Sequence, residues 1–369
     1  MTLSAAARSP RVLIVGALGL AAVVVLGLLP WYVTDSYWVT VAADVCIFAI
    51  LGLSYNLLLG QIGLFSFGHA LFFGASAYIF GNLTTGGMGL LPGAILAVGG
   101  NIGLAIIIGL LTIRVSGIYF AIVTLAFAQA AYTAAERDVL GLTGGENGKP
   151  IDGLPRELNI NVFPENLYWL AFAMLVLSVL VVWGIRRSMM GRVWDGIRES
   201  PLRAQSLGIA IPSQRIVAFA VAGGLAGVAG VLNAMSLQYA TPNELALDIT
   251  VQALLITIIG GPGTLLGPLL GAVFVRVSAP LIDQWGRTDF VQGLSEVPQR
   301  ALTSHALMLG IVYIALVLFL PGGLASLGER FRRTRNTLRG DDDEHGDRLT
   351  GGGRMPPDPA PEPTTASTR

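Results

Sequence analysis

Residues 186–215 read RRSMMGRVWDGIRESPLRAQSLGIAIPSQR, and the side of a membrane on which this stretch lies decides how the rest of the chain is threaded. Six arginines in thirty residues, set between long apolar runs, place it on the cytoplasmic side. Inside it, Ser200, Pro201 and Gly208 bracket a helix of about two turns, with serine as N-cap, proline at the first helical position and glycine just past the end. A short capped helix held at the cytoplasmic face of a membrane bundle is a docking element.

The composition around this stretch belongs to an integral membrane protein. Of 369 residues, 53% are hydrophobic and only 12% are charged, against about a quarter charged in soluble domains. The 23 basic and 23 acidic residues cancel, so net charge points to no acidic partner, and no nucleic acid is expected. Cys46 stands alone, which rules out an intramolecular disulfide. His69, His305 and His345 are scattered, without metal-ligand spacing.

A span needs about 20 mostly apolar residues. Candidates are 11–30, 39–59, 66–83, 91–113, 117–135, 166–185, 216–236, the long run 249–278, and 304–322. With Arg8 and Arg11 inside, six spans return the chain to the inside at Arg186, and the acidic segment 136–165 falls outside. Three single spans after Arg215 would leave Arg330, Arg332, Arg333, Arg335 and Arg339 outside. The run 249–278 resolves this, because Gly260, Gly261, Pro262 and Gly263 end one helix and begin another. Two short helices that enter and return restore an even count and put both termini in the cytoplasm. Irregular backbone at membrane depth must be buried or line a cavity. The expected fold is an all-α polytopic bundle of about eight to ten spans with one broken or re-entrant pair. It divides into an N-terminal span and outer loop (1–38), a core (39–328), and a basic-then-acidic, disordered tail (329–369).

Polar and small residues within the spans give the next signals. Gly223 and Gly227 form GxxxG and Gly230 extends the small face, either for packing within the chain or for pairing with a second membrane subunit. Gln61, Ser66, His69 and Thr124 are candidates for an aqueous path, beside Asn56 and Asn101. His69 has a second reading as an imidazole hydrogen-bonded between helices. Asp44 is either a solvated acid near the outer end of its helix or a pathway residue.

Leu142–Glu146 (LTGGE) imitates a nucleotide signature, but the chain has one lysine, Lys149, followed by Pro150, and Thr143 stands where a phosphate loop needs glycine. This chain is not expected to be an enzyme, and any ATP hydrolysis belongs to another subunit.

Five passages, in this order and spacing, carry a resemblance: GQIGLFSFGHALFFGASAY (Gly60–Tyr78), GIYFAIVTLAFAQ (Gly117–Gln129), LTGGENG (Leu142–Gly148), GRVWDGIRESPLRAQSLGI (Gly191–Ile209) and ITIIGGPGTLLGPLLGA (Ile256–Ala272). Over roughly 40–325 the chain resembles the membrane permease subunits of bacterial branched-chain amino acid ABC importers, in particular the longer of the two permeases. The resemblance implies a plasma-membrane complex with a second related permease, two cytoplasmic ATPases that use ATP and Mg, and an extracytoplasmic solute-binding protein, with no cofactor on this chain. Leucine, isoleucine and valine are the implied solutes. Urea or short amides are the nearest alternative, and an ion-driven secondary transporter is the other class.

On the family pattern, Gly191, Arg192, Trp194, Ile197, Glu199, Ser200, Pro201, Arg203, Ala204, Leu207 and Gly208 form the region that couples to an ATPase. Pro201 departs from the commoner non-proline residue there. Val193, Trp194 and Ile197 are expected to supply an apolar contact face with Arg192, Arg198 and Arg203 at its rim. The alternative role for the arginines is binding anionic lipid headgroups.

Overall fold

The computed structural model describes residues 35–286, apart from 113, 159 and 161, together with 307, 310 and 314. The first span at 11–30, the span at 304–322 apart from residues 307, 310 and 314, the tail and both termini lie outside the described residues. Of the two compact units in the chain, 1–326 and 327–369, the second lies wholly outside them.

The described chain is an all-α membrane bundle. Five helices are long and apolar enough to cross a bilayer: α1 (Ser36–Asn56) with its continuation to Ile62, α3 (Leu90–Thr112), α4 (Ile118–Glu136), α5 (Pro164–Arg187) and α8 (Ile211–Leu237). Three shorter helices complete the core: α2 (His69–Thr85), α9 (Leu247–Gly260) and α10 (Gly267–Gly286). The arginine-rich stretch adds α6 (Met189–Glu199) and α7 (Pro201–Ser206).

Burial sorts these helices. In α1, 94% of the apolar window is buried, against 28% for each of α3, α4 and α5, so α1 is the central post and those three form the outer face. A helix that is apolar all round belongs inside a bundle, and α1 is such a helix. It starts where the Asp35 carboxylate accepts the Tyr37 amide at 3.0 Å. Around it pack α5, α8, α9 and α10.

Asp44 does not stand alone in α1, as its sequence position suggested. It forms an ion pair with Arg276 of α10, whose guanidinium also donates to Gln252 Oε1 of α9 at 3.0 Å and lies 4.0 Å over the Phe48 ring. A charge in a membrane bundle is retained when it is paired and hydrogen-bonded. This pair ties three helices.

The small-residue face of α8 is used within the chain. A side chain on Gly227 would meet Asn101 Nδ2 at 2.7 Å, one on Gly223 would meet the Ala105 Cβ, and one on Gly230 would meet the Phe73 carbonyl. Asn101 itself donates to the Phe72 carbonyl at 2.9 Å and the Gly223 carbonyl at 2.8 Å, joining α2, α3 and α8. Of the two readings of GxxxG, packing within the chain is the one realised, and this face is not open to a second subunit.

The run 249–278 is broken as expected. α9 ends at Gly260, α10 begins at Gly267, and Gly261 and Gly263 adopt φ of 108° and 78° in the turn between them. The two helices then pack closely, since a Cβ on Gly271 would meet the Ile256 carbonyl and one on Gly260 the Gly267 carbonyl.

A second break was not foreseen. α1 loosens into a π-turn at Leu57–Ile62 that stops at Gly63, φ 76°, and the chain runs irregularly to His69 before α2 begins. The expected span at 66–83 therefore starts three residues later, after an irregular connection in which Leu64, Ser66 and Gly68 are buried and Gly63 and Phe65 exposed. Thr124 Oγ1 accepts the Phe67 amide at 3.0 Å and Thr250 Oγ1 accepts the Ala70 amide at 2.9 Å. Irregular backbone at this depth is tolerated because α4 and α9 satisfy it.

At the opposite end of the bundle, the connection 137–163 is clasped to the α8–α9 loop. Two short strands, β1 (Lys149–Pro150) and β2 (Tyr239–Ala240), pair antiparallel, and Lys149 Nζ donates to Asn82 Oδ1 at 2.6 Å.

Candidate functional site

The arginine-rich stretch folds as two helices with opposite roles. α6 is capped by Ser188, whose hydroxyl accepts the Gly191 amide at 3.4 Å. Its spacing puts Gly191, Trp194 and Ile197 on one side, and all three are buried. The Trp194 indole donates to Gln214 Oε1 at 3.0 Å, which fastens α6 to the start of α8. The expected contact face of Val193, Trp194 and Ile197 is therefore turned inward. Trp194 is 0% exposed and Ile197 1%, because these large apolar groups find a better solvent in the bundle than in water.

α7 presents the outward surface. Ser200 accepts the Arg203 amide at 3.4 Å, Pro201 occupies the first turn, and Gly208 closes the helix at φ 82° with Ile209 donating to the Ala204 carbonyl at 3.1 Å. That pairing, with Gly208 donating to the Gln205 carbonyl at 2.9 Å, is a Schellman ending. Ala204 is buried, whereas Leu202 is 75% and Leu207 80% exposed, flanked by exposed Pro201, Arg203 and Gly208. Arg192 and Glu199 are also exposed, and Ser200 is half-buried. Leu202 was not singled out in the sequence.

Arg198 does not sit at the rim of that surface. Its guanidinium donates to the Gly60 carbonyl in the π-turn of α1.

The four path candidates are not one cluster. Ser66 accepts the Gly68 amide within its own turn at 3.2 Å, and Thr124 donates to the Ala121 carbonyl at 2.9 Å while holding Phe67. His69 sits between helices: Ser54 Oγ donates to the Ala222 carbonyl at 2.7 Å, so its 3.0 Å contact with His69 Nε2 places the imidazole hydrogen on Nε2. Gln61 differs from these three. It is 2% exposed and neither its Nε2 nor its Oε1 has a hydrogen-bond partner within the chain.

Another polar surface was missed. On the outer face of α4 an open groove of about 560 Å³ is lined by Ala126, Gln129, Ala130, Thr133, Ala134, Arg137 and Val139. Gln129 and Arg137 are exposed and Thr133 half-buried, on a membrane-length helix whose other outward residues include Ile118, Tyr119 and Ile122. Spacing of three and four residues puts these small and polar groups on one stripe. Lipid is a poor neighbour for such a stripe.

In the loop after α8, Glu244 Oε1 accepts from Asn233 of α8 at 2.9 Å, and burial pushes the Glu244 carboxyl up to about 8, so that it is protonated at neutral pH. The imitation nucleotide signature at 142–146 is a tight turn. Thr143 donates to the Ala135 carbonyl at 2.7 Å and its amide to Asp138 Oδ1 at 2.8 Å, with Gly144 and Gly145 at positive φ. These bonds hold the Asp138 carboxyl below its ordinary range. A single 3-10 turn, Gly145–Asn147, and then β1 follow it, where a phosphate loop leads into an α-helix.

Comparison with known proteins matches residues 37–320 to the family described as branched-chain amino acid transport system, permease component. Among curated proteins, the high-affinity branched-chain amino acid transport system permease protein LivM of Salmonella typhimurium is 27% identical over 78% of this chain and 69% of its own length. LivM of Escherichia coli is 26% identical over 83% and 74% respectively. The autoinducer 2 import system permease protein LsrC of Salmonella paratyphi B is 30% identical over 57% of this chain and 65% of its own length. No solved structure matches the chain.

Proposed function

This chain belongs to the family of branched-chain amino acid transport system permease components, a multi-pass membrane protein and an ABC transporter permease, and we propose that it forms one side of the path by which an ATP-driven importer moves a branched-chain amino acid. The second wall of the path is a related permease, seated on the α4 stripe. One of two cytoplasmic ATPases docks on α7, and an extracytoplasmic binding protein delivers the solute at the end of the bundle where β1 and β2 pair. The arginine-rich stretch faces the cytoplasm, as do both termini. No cofactor is held by this chain.

One observation carries the path: exposed Gln129 and half-buried Thr133 stand among alanines along a helix of membrane length. A partner that covers this stripe with its own polar groups would enclose an aqueous channel with backbone and amide groups to pass a zwitterion along. Gln61 is the other member, a buried amide without a partner, which a solute or an ordered water would satisfy. Ser66 and Thr124 hold the broken backbone beside it and act on the path through that backbone, while His69 joins α2 to α1 through Ser54.

The LivM proteins support amino acids as the solute class, and the similarity to LsrC supports a second reading in which the solute is autoinducer-2-like. Urea and short amides remain members of the test set. Proteoliposomes holding the complete transporter are to be loaded with ATP and given radiolabelled leucine, urea or autoinducer 2 with the cognate binding protein. ATP-dependent leucine uptake is expected, reduced about tenfold or more in Gln129→Leu, in which an exposed amide is lost from the path. Uptake of leucine that continues without ATP but requires an ion gradient would replace this reading with a secondary transporter.

A further inference from the structure

Both interrupted helices end at the same place. The Asn56 side chain, the last residue before the π-turn, accepts the Gly263 amide at 2.7 Å through Oδ1 and donates to the Thr264 carbonyl at 2.8 Å through Nδ2. Gly60 and Gly263 are in backbone contact, since a Cβ on Gly263 would lie 3.0 Å from the Gly60 carbonyl oxygen. One asparagine and two glycines thus weld the break after α1 to the break after α9.

Two helix C-termini converge at this junction, that of the α1 π-turn at Ile62 and that of α9 at Gly260. Each carries the partial negative charge of its terminal carbonyls, which favours a cation beside them. Arg198 supplies it. The guanidinium donates to the Gly60 carbonyl, and its Nη1 would lie 2.9 Å from a Cβ on Gly263. The Arg198 stem runs past Gly63, whose added Cβ would lie 3.3 Å from Arg198 Cγ. A single side chain of α6 therefore touches both breaks.

The connection from Arg198 to the outward surface is short and stiff. Glu199 ends α6, Ser200 caps α7, and Ser200 donates its amide to the Gly196 carbonyl at 3.1 Å while its hydroxyl accepts from Arg203. With only one capping residue between the helices, α7 cannot shift without carrying the end of α6.

We propose that Arg198 is a positioning residue that ties the docking loop to the paired helix breaks, so that a displacement of α7 is delivered to the Gly60–Gly263 junction. This rests on the reading that α7 meets an ATPase, and the junction itself is the element that moves. Lysine at 198 keeps a charge for the two C-termini but loses the forked contact, and alanine removes both.

The test has two arms. In membranes containing the full chain, Phe65→Cys places a thiol on the 40% exposed Phe65 position beside the junction, while native Cys46 is fully buried and silent. Maleimide labelling of that thiol is expected to rise by about threefold or more when Arg198→Ala is added, as a local opening becomes easier, with Arg198→Lys between. In the complete reconstituted transporter, Arg198→Ala is expected to retain its ATPase subunits and their hydrolysis, with ATP consumed per solute imported rising by about tenfold. Unchanged labelling with unchanged ATP per solute overturns the proposal. So does loss of the ATPase subunits from Arg198→Ala, which would assign Arg198 to the docking surface. A parent transporter that imports nothing with ATP, while the labelling difference persists, removes the proposed function and leaves the tie standing.

Discussion

α6 and α7 are neighbours in one arginine-rich stretch, yet they solve opposite problems. α6 buries Trp194 and Ile197 and reaches the Gly60 carbonyl of the α1 π-turn with the guanidinium of exposed Arg198, whereas α7 buries only Ala204 and leaves Leu202 and Leu207 in solvent. The difference is one of side-chain size on the inward side. An indole and an isoleucine pay the entropy of ordering an eleven-residue helix, while α7, with six residues, stands only because both of its ends are capped. A membrane protein can thus hold an exposed helix rigidly by anchoring its neighbour and capping the helix itself.

The anchor should give the largest effect. Trp194→Ala removes a fully buried side chain and its bond to Gln214, and is expected to destabilise the detergent-solubilised protein by about 3–5 kcal/mol in thermal unfolding. A change below about 1 kcal/mol would show that α6 is not the anchor. The converse substitution leaves the fold intact: Leu202→Asp with Leu207→Asp should keep the unfolding midpoint and lower co-purification of the ATPase subunits by about tenfold or more, the effect of losing apolar contacts at the centre of an interface.

Ser200→Ala sharpens the comparison at the boundary. Loss of the cap should cost α7 about 1 kcal/mol, seen as faster hydrogen exchange at the Arg203 amide with α6 unaffected. The smallest effect belongs to the rim. Arg203→Glu should move global stability by no more than about 0.5 kcal/mol, weaken ATPase association only severalfold, and do so mainly at low salt. If instead Arg203→Glu left association untouched and changed only binding to anionic vesicles, the arginine would belong to the lipid headgroups.

Much of this architecture was legible in the residues. Helix limits followed from apolar length, so that 91–113 and 117–135 correspond to Leu90–Thr112 and Ile118–Glu136. The caps at Ser200 and Gly208 were readable because a capping motif is local: serine, proline and glycine each act within a few residues of themselves. The break at Gly260–Gly263 was readable for the same reason, with a proline between glycines. By contrast, the break after Asn56 carries no proline. Its six-residue π-turn is written in leucine, glycine, glutamine and isoleucine, which helices ordinarily accept, and the bonds that flank it, Asn56 to Gly263 before it and Phe67 to Thr124 and Ala70 to Thr250 after it, come from distant parts of the chain.

The site was less legible than the fold. Polarity inside a span named Gln61, Ser66, His69 and Thr124 together, but Ser66 and Thr124 bond local backbone, His69 bonds Ser54 through Nε2 and leaves Nδ1 unpartnered, and Gln61 has no partner in the chain for either of its amide atoms. Polarity along a sequence says that a group needs a partner. It does not say whether the fold already provides one. The α4 stripe escaped notice because Gln129 and Thr133 sit among alanines whose exposure depends on which helices pack nearby.

The sequence by itself determined the membrane class, the helix lengths, the break at Gly260–Gly263 and the capped helix at 201–206, since all of these depend on solvent preference and on backbone chemistry over short distances. Only the tertiary structure decided that Trp194 and Ile197 face inward, that Asp44 pairs with Arg276, and that Asn56 and Arg198 join the two breaks. Those pairings span from roughly 140 to more than 200 residues of chain, and a contact at that separation is fixed by packing geometry, which no local pattern encodes.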